Sequence, residues 1–287
     1  MQHLLSDQTS GILYVVATPI GNLDDMVPRA VETLQTVNVI AAEDTRHSAR
    51  LMAHFQISTP MVAYHDHSDE RQTQGLVERL QRGESVALIS DAGTPLVSDP
   101  GYRLVRAVRE AGVRIVPIPG ACAMIAALSA VGLPSDRFAF EGFLPAKKGT
   151  RQNSLQALKD ETRTLIFYEA PHRIADTLQD MAEVFGPERE LAIARELTKT
   201  FETICKGSAK ELAEWVASDS NQQRGEIVLI ARGAKTKAVD ALDAESIRVM
   251  GILLEELSVK QASALAAKVT GQKKKALYQW ALDNQDK

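Results

Sequence analysis

The chain has 287 residues, 45% of them hydrophobic and 24% charged, with a formal net charge of −4 at pH 7. This excludes a disordered or collagen-like chain, and two cysteines, Cys122 and Cys205, are too few for a disulfide framework or a CxxC metal site. No stretch approaches the ~18 apolar residues of a membrane span, and the opening MQHLLSDQTSG lacks the basic-then-apolar order of a signal peptide; a cytoplasmic protein with no membrane association and no bound metal is expected.

From the N-terminus, strand-like apolar runs are expected near Leu13 to Ala17, Val37 to Ala41, Met61 to Ala63, Val86 to Ile89 and Arg114 to Pro117. Between them Val27 to Thr36, Thr45 to Phe55, Asp69 to Arg82 and Tyr102 to Ala111 place apolar residues at three- and four-residue spacing, the pattern of half-buried helices. This alternation predicts a mostly parallel sheet covered by helices, residues 1–118. At PIPG the pattern breaks, and ACAMIAALSAVG follows as a small-residue helix that must pack closely on a neighbour.

A second α/β lobe, 119–234, is predicted from strands at Phe138 to Phe143, Thr164 to Tyr168, Glu190 to Leu197, Glu202 to Gly207 and Gly225 to Ala231. Helices are expected around Gln152 to Lys159, Arg173 to Phe185 and Ala209 to Ser218. With fewer crossovers, this sheet should be mixed, with some antiparallel pairing. Residues 235–287 read as helices Ala244 to Leu257, Lys260 to Val269 and Lys273 to Leu282, joined by tight turns in the manner of a helix-turn-helix appendage.

Two Gly/Pro loops each follow an apolar run: ILYVVATPIGN, Ile12 to Asn22, and VALISDAGTPLVSDPG, Val86 to Gly101. Both should empty at the carboxyl edge of the first sheet, where small ligands bind in open α/β folds. Neither GxGxxG after the first strand nor GxxxxGK[ST] occurs, which argues against a dinucleotide or nucleoside triphosphate.

The ordered blocks TPIGNLDD, AAEDTR, SDAGTPLVSDPG, PGACA, EGFLP, FYEAPHR, ELTKTFE and GEIVL resemble the tetrapyrrole-methylase-like fold and, within it, the ribosomal RNA small-subunit methyltransferase I family. The resemblance implies two α/β lobes, S-adenosylmethionine in the cleft between them, a helix-turn-helix tail and a homodimer. It also implies methylation of the ribose 2'-hydroxyl of a cytidine in the decoding centre of 16S rRNA. Gly93, Thr94 and Pro95 match the family's GDP-type loop, with Thr94 where many relatives carry Asp. Pro19, Val97, Ala121 and Cys122 join that loop as expected cofactor contacts. Tyr168, Glu169 and Ala170 are expected to line the adenosine side, and Gly225, Glu226 and Ile227 to hold adenine.

Methyl transfer asks a protein mainly to align sulfur, methyl and oxygen and to exclude water. A group must also orient or deprotonate the weakly acidic hydroxyl. His172, Glu43, Asp44 and Arg46 are the candidates for that catalytic work; Asp24, Asp25 and Glu169 also fall in matched blocks. HDHSD, His65 to Asp69, has too few matched ligands for a metal site, and helix capping by Ser68 or Asp69 explains it better.

For RNA, Lys147, Lys148 and Arg151, in a Gly/Pro-flanked loop, form one basic zone. Lys273, Lys274 and Lys275, with Tyr278 and Trp280 nearby, form another, in a tail from Leu257 that carries six lysines against two aspartates. The competing readings are a tetrapyrrole methyltransferase of the same fold, which has no evident use for a basic tail, and a non-catalytic RNA-binding factor. A nucleotide hydrolase is disfavoured by the absent phosphate loop.

Overall fold

The computed structural model describes residues 10–65, 70–235 and 242–284, so the expected cap at Ser68 or Asp69 lies outside the described residues. Two compact units emerge, Met1–Arg232 and Gly233–Lys287.

Within the first unit, β1 (Ile12–Val16), β2 (Val39–Ala42), β3 (Met61–Ala63), β4 (Val86–Ile89) and β5 (Arg114–Ile118) form one sheet in the order β3-β2-β4-β1-β5. All of its pairings are parallel. The central strands β2 (VIAA) and β4 (VALI) are buried along their whole length, as a sheet covered on both faces requires. Pro117 sits in β5 at the sheet edge, where its missing N–H costs no ladder bond.

Helices α1 (Pro28–Thr36) and α2 (Thr45–His54) cover one face around Ile40, Ala87 and Ile89. Helices α3 (Glu70–Gln81) and α4 (Tyr102–Glu110) cover the other around Leu13, Leu80, Leu88 and Leu104. Asp44 caps α2 by accepting from the Arg46 N–H at 2.8 Å and the His47 N–H at 3.4 Å. Those two backbone N–H groups hold its carboxyl below the usual aspartate range.

The small-residue helix α5 (Ala123–Ala130) starts after an extended Cys122. It packs through Ala127, Leu128 and Val131 against the second sheet. That sheet comprises β6 (Phe138–Phe143), β7 (Thr164–Glu169), β8 (Glu190–Arg195), β9 (Thr203–Ser208) and β10 (Ile227–Ala231), in the order β6-β7-β10-β8-β9. Only β6 and β7 run parallel; β7-β10, β10-β8 and β8-β9 are antiparallel. The opposite face packs against α6 (Lys148–Leu158), α7 (Ile174–Phe185) and α8 (Ala209–Ser218) around Leu165, Phe167, Leu178 and Leu229.

Of the boundaries that differ from the sequence pattern, three bear on the site and have identifiable reasons. Strand β8 stops at Arg195 because Glu196 and Thr198 adopt left-handed backbone, φ +53° and +67°. Strand β10 starts at Ile227, two residues late, because Gly225 has φ +78°. Helix α6 begins at Lys148, so the expected loop carrying Lys148 and Arg151 is helical. That turn aims Arg151 inward: its side chain is 3% exposed and its Nε donates to Asp180 Oδ2 at 2.6 Å. Arg151 is therefore a buried structural cation and cannot serve as an RNA contact.

The second unit is helical: α9 (Ala244–Leu254), α10 (Val259–Thr270) and α11 (Lys274–Asp283) enclose Met250, Ala262, Ala266, Leu277 and Ala281. Gly271 ends α10 in the left-handed conformation that favours glycine at this position. Trp280 packs against this small core, while Tyr278 is 39% exposed.

Candidate active site

The two Gly/Pro loops meet. Thr18 N–H donates to the Gly93 carbonyl at 2.8 Å and Gly93 N–H donates to the Thr18 carbonyl at 3.0 Å, an antiparallel bridge beyond the ends of β1 and β4. Gly93 has φ +81°, and a Cβ there would lie 3.3 Å from Ile20 Cγ2, so the turn is both left-handed and tight. Thr94 Oγ1 donates to the Ala121 carbonyl at 3.0 Å, tying the loop to the segment before α5. Its hydroxyl is thus used within the fold.

Beside this bridge lies a cavity of about 410 Å³, within the size of small-molecule sites. From the first sheet come Glu43, Asp91, Gly93, Thr94, Val97 and Asp99, with Cys122 following. From the second sheet come Tyr168, Glu169 and Ala170 at the end of β7, Ala194 and Leu197 around the end of β8, and Gly225, Glu226 and Ile227 at the start of β10. Because β10 runs against β7 and β8, its amino end and their carboxyl ends share one edge.

Among the described residues, no lysine, arginine or histidine lines this cavity, whereas Glu43, Asp91, Asp99, Glu169 and Glu226 do. Two of the carboxylates interlock with the backbone across β2 and β4: Glu43 Oε2 accepts from Asp91 N–H and Asp91 Oδ1 from Asp44 N–H, each at 3.2 Å. Glu169 is buried and takes bonds from Arg173 Nε at 2.8 Å and Thr177 Oγ1 at 2.6 Å, so its carboxylate shapes the wall from behind. Tyr168 OH accepts from the Met124 N–H at 3.3 Å. Burial, reinforced by Cys122 and Asp99, pushes its phenol up to about 12.

The walls are also strained. Of the five non-glycine residues with positive φ among the described residues, Leu96, Ser98, Glu196 and Thr198 lie in the loops that border the cavity. Such conformations cost roughly 1–3 kcal/mol each and concentrate at functional sites.

The expected site residues separate clearly. Gly93, Thr94, Val97, Cys122, Tyr168, Glu169, Ala170, Gly225, Glu226, Ile227 and Glu43 line the cavity. Pro95 and Ala121 are not among its lining residues, and Pro19 lines a neighbouring cavity. Arg46, its side chain 93% exposed, pairs with Asp44 at the start of α2, outside the cavity. His172 is exposed in a short 3-10 turn and lines neither cavity.

Asp91, Asp99 and Leu197 carried no expected role. Asp91 was open to detection, since it directly follows the strand VALIS at the binding edge. Leu197 was not, because its place depends on the left-handed backbone around it.

Comparison with known proteins agrees with this geometry. The family model described as Tetrapyrrole (Corrin/Porphyrin) Methylases matches residues 12–213, and the RsmI C-terminal HTH domain matches residues 240–285. The chain is 58% identical over 280 residues to ribosomal RNA small subunit methyltransferase I of Pseudomonas aeruginosa PAO1, covering 97% of this chain and 99% of that protein. It is 53% identical over 284 residues to the protein of the same name from Escherichia coli O157:H7, covering 99% of each.

Among solved structures, uroporphyrin-III-C-methyltransferase from Thermus thermophilus shares the fold at TM-score 0.55 and 22% identity, over 77% of this chain and 94% of that one. Diphthine synthase does so at TM-score 0.59 and 14% identity, over 78% of this chain and 90% of that one.

Proposed function

Since the chain belongs to the tetrapyrrole methylases and, within them, to the ribosomal RNA small subunit methyltransferase I family, we propose that it uses S-adenosylmethionine to methylate the ribose 2'-hydroxyl of a cytidine in the decoding centre of 16S rRNA. The observation that carries this reading is the sign of the cavity wall: carboxylates and no cationic side chain among the described residues. Such a wall suits a ligand bearing a sulfonium and an ammonium, and repels a phosphate-bearing nucleotide.

S-adenosylmethionine supplies an already activated methyl group. The Gly93–Val97 turn holds the methionine end through backbone groups, and the Tyr168–Ala170 and Gly225–Ile227 segments hold the adenosine. Glu43 and Asp91, held by the backbone N–H groups of Asp91 and Asp44 respectively, orient the acceptor hydroxyl and take its proton. His172 and Arg46, outside the cavity, have no place in this step.

Lys147 at the head of α6, and Lys273 to Lys275 at the head of α11, are exposed and engage RNA phosphates in the cytoplasm, where the protein works as a homodimer. In this scheme residues 1–118 and 119–234 hold the cofactor and residues 235–287 hold RNA.

The test incubates the purified protein with methyl-labelled S-adenosylmethionine and 30S subunits from a strain lacking the gene, and maps the label by nuclease digestion. Label on one cytidine ribose is the expected result. Cofactor binding without incorporation would overturn the RNA assignment and bring the small-molecule methyltransferase forward.

A further inference from the structure

A second cavity, of about 280 Å³, lies against the first and shares Ile20, Asp91, Ala92 and Glu226 with it. Its electrostatic character is different. Besides the two shared carboxylates it is lined by His47 and Arg50 of α2 and by Lys199 of the turn after β8. Among the described residues, no cation lines the first cavity, whereas the second gathers basic groups from both lobes, with Glu226 on the boundary.

Lys199 is placed there by construction. Its aliphatic stem lies along the backbone of Gly21: a Cβ at Gly21 would fall 2.5 Å from Lys199 Cγ and 2.8 Å from Cε. Its Nζ donates to Glu196 Oε1 and Glu226 Oε2, both at 2.9 Å. Partial burial draws the ammonium down, but the two carboxylates outweigh it and hold the group above the ordinary lysine range, so it is a fixed positive charge and no base.

The two acceptors differ. Glu196 is 17% exposed and is also held by the Glu226 N–H at 2.9 Å, whereas the Glu226 side chain is 72% exposed. The Glu226 contact is therefore the one that an incoming anion can replace at little cost, since an ion pair with an exposed partner is weakened by water and salt. Arg50, exposed on α2, makes no ion pair among the described residues.

Resting on the methyltransferase reading above, we propose that this second cavity seats the acceptor nucleotide, with Lys199 leaving Glu226 to bind a backbone phosphate next to the target ribose and Arg50 supporting the same strand. The shared wall at Asp91 and Ala92 then presents the ribose hydroxyl to the first cavity, where transfer needs reacting atoms ~3–3.5 Å apart. Lys199 is thus a positioning residue: it sets where the ribose sits and takes no part in proton transfer. Glu226 occupies the phosphate position while RNA is absent.

The opposing signs of two substitutions test this. Lys199→Gln should raise the half-saturating concentration of 30S acceptor about tenfold and make the salt dependence of acceptor binding shallower by about one phosphate contact. The calorimetric affinity for S-adenosylmethionine should stay within about twofold, because the lysine lines only the second cavity. Glu226→Gln should tighten acceptor binding by a few-fold, since it removes the competitor for Lys199, and Lys199→Arg should restore most of the salt slope.

A structural clip would give a different pattern, in which both variants weaken acceptor binding with an unchanged salt slope; that result overturns the proposal, as does a Lys199→Gln loss confined to cofactor affinity. If Lys199→Gln does not fold, Glu226→Gln decides alone: tighter acceptor binding supports the phosphate seat, and unchanged or weaker binding refutes it. Wild-type protein that binds cofactor but labels no subunit removes the RNA-methylation reading and this inference with it. Wild-type labelling with an unaltered Lys199→Gln variant removes only the inference.

Discussion

The two lobes bury different chemistry. Among the described residues of the first unit, the buried charged ones, Arg151, Glu169, Asp180 and Arg195, all lie in the second lobe, while the first lobe buries only uncharged hydroxyls such as those of Thr18, Thr33, Ser48 and Ser90. The first lobe is an all-parallel sheet whose ligand loops follow strand ends as a matter of topology. The second uses antiparallel pairing, so its ligand edge collects strand starts and strand ends together and needs fixed charges to hold its turns. Arg195 does this with four contacts, including the Phe201 carbonyl at 3.1 Å and Gln222 Oε1 at 3.2 Å.

The largest expected effect follows from that contrast. Asp180→Ala strands the buried Arg151 guanidinium and should cost ~3–5 kcal/mol of unfolding free energy in urea titration. A cost below ~1 kcal/mol would mean the lobe does not depend on its buried ion pair.

Next come the two glycines that face the cavity from opposite lobes. Gly225→Ala sets a Cβ 2.3 Å from the Glu196 carboxyl at φ +78°, whereas Gly93→Ala, at φ +81°, meets the Ile20 Cγ2 methyl at 3.3 Å and the Ala121 carbonyl at an ordinary 3.7 Å. Strain of roughly 1–3 kcal/mol should lower calorimetric cofactor affinity in both. Gly225→Ala should lose more, because the backbone N–H of Glu226 holds the Glu196 carboxyl in place. Equal losses would deny that the second lobe is the more rigid wall.

Tyr168→Phe is smaller. It removes the acceptor of the Met124 N–H, a loss of ~0.5–1.5 kcal/mol. Because burial raises the folded phenol to about 12 from the ordinary tyrosine value of 10.0, the folded state holds the proton more tightly, and stability should fall as pH rises from 10 toward 12. The variant should show a flatter fall over that window in thermal melts.

Smallest is Lys148→Ala. Lys148 is 63% exposed and reaches Asp180 only at 3.7 Å, so stability should change by less than ~1 kcal/mol; a larger loss would make it a second essential partner of Asp180.

The same contrast governs what the sequence could disclose. In the first lobe, apolar runs ending in Gly and Pro placed both loops correctly, because a parallel sheet sends every strand's carboxyl end to one edge. In the second, β8 was expected to run through Leu197, and nothing in ELTKTFE announces left-handed backbone at a glutamate and a β-branched threonine.

The local sequence places Arg151 as a loop cation beside Lys147 and Lys148, because its partner Asp180 lies 29 residues away. Lys199 stood in a matched block without a role, as its position comes from contact with Gly21 in the other lobe. His172, by contrast, drew attention through its residue type and its place after a strand, but the 3-10 turn points it to solvent.

The most direct test of the account is a crystal structure of the protein with S-adenosylhomocysteine. The account predicts the adenosine against Tyr168–Ala170 and Gly225–Ile227, the amino-acid end at Gly93–Val97, and the sulfur facing the wall of Asp91 and Ala92 shared with the Lys199 cavity. A ligand bound elsewhere, or with its sulfur turned away from that wall, would contradict it.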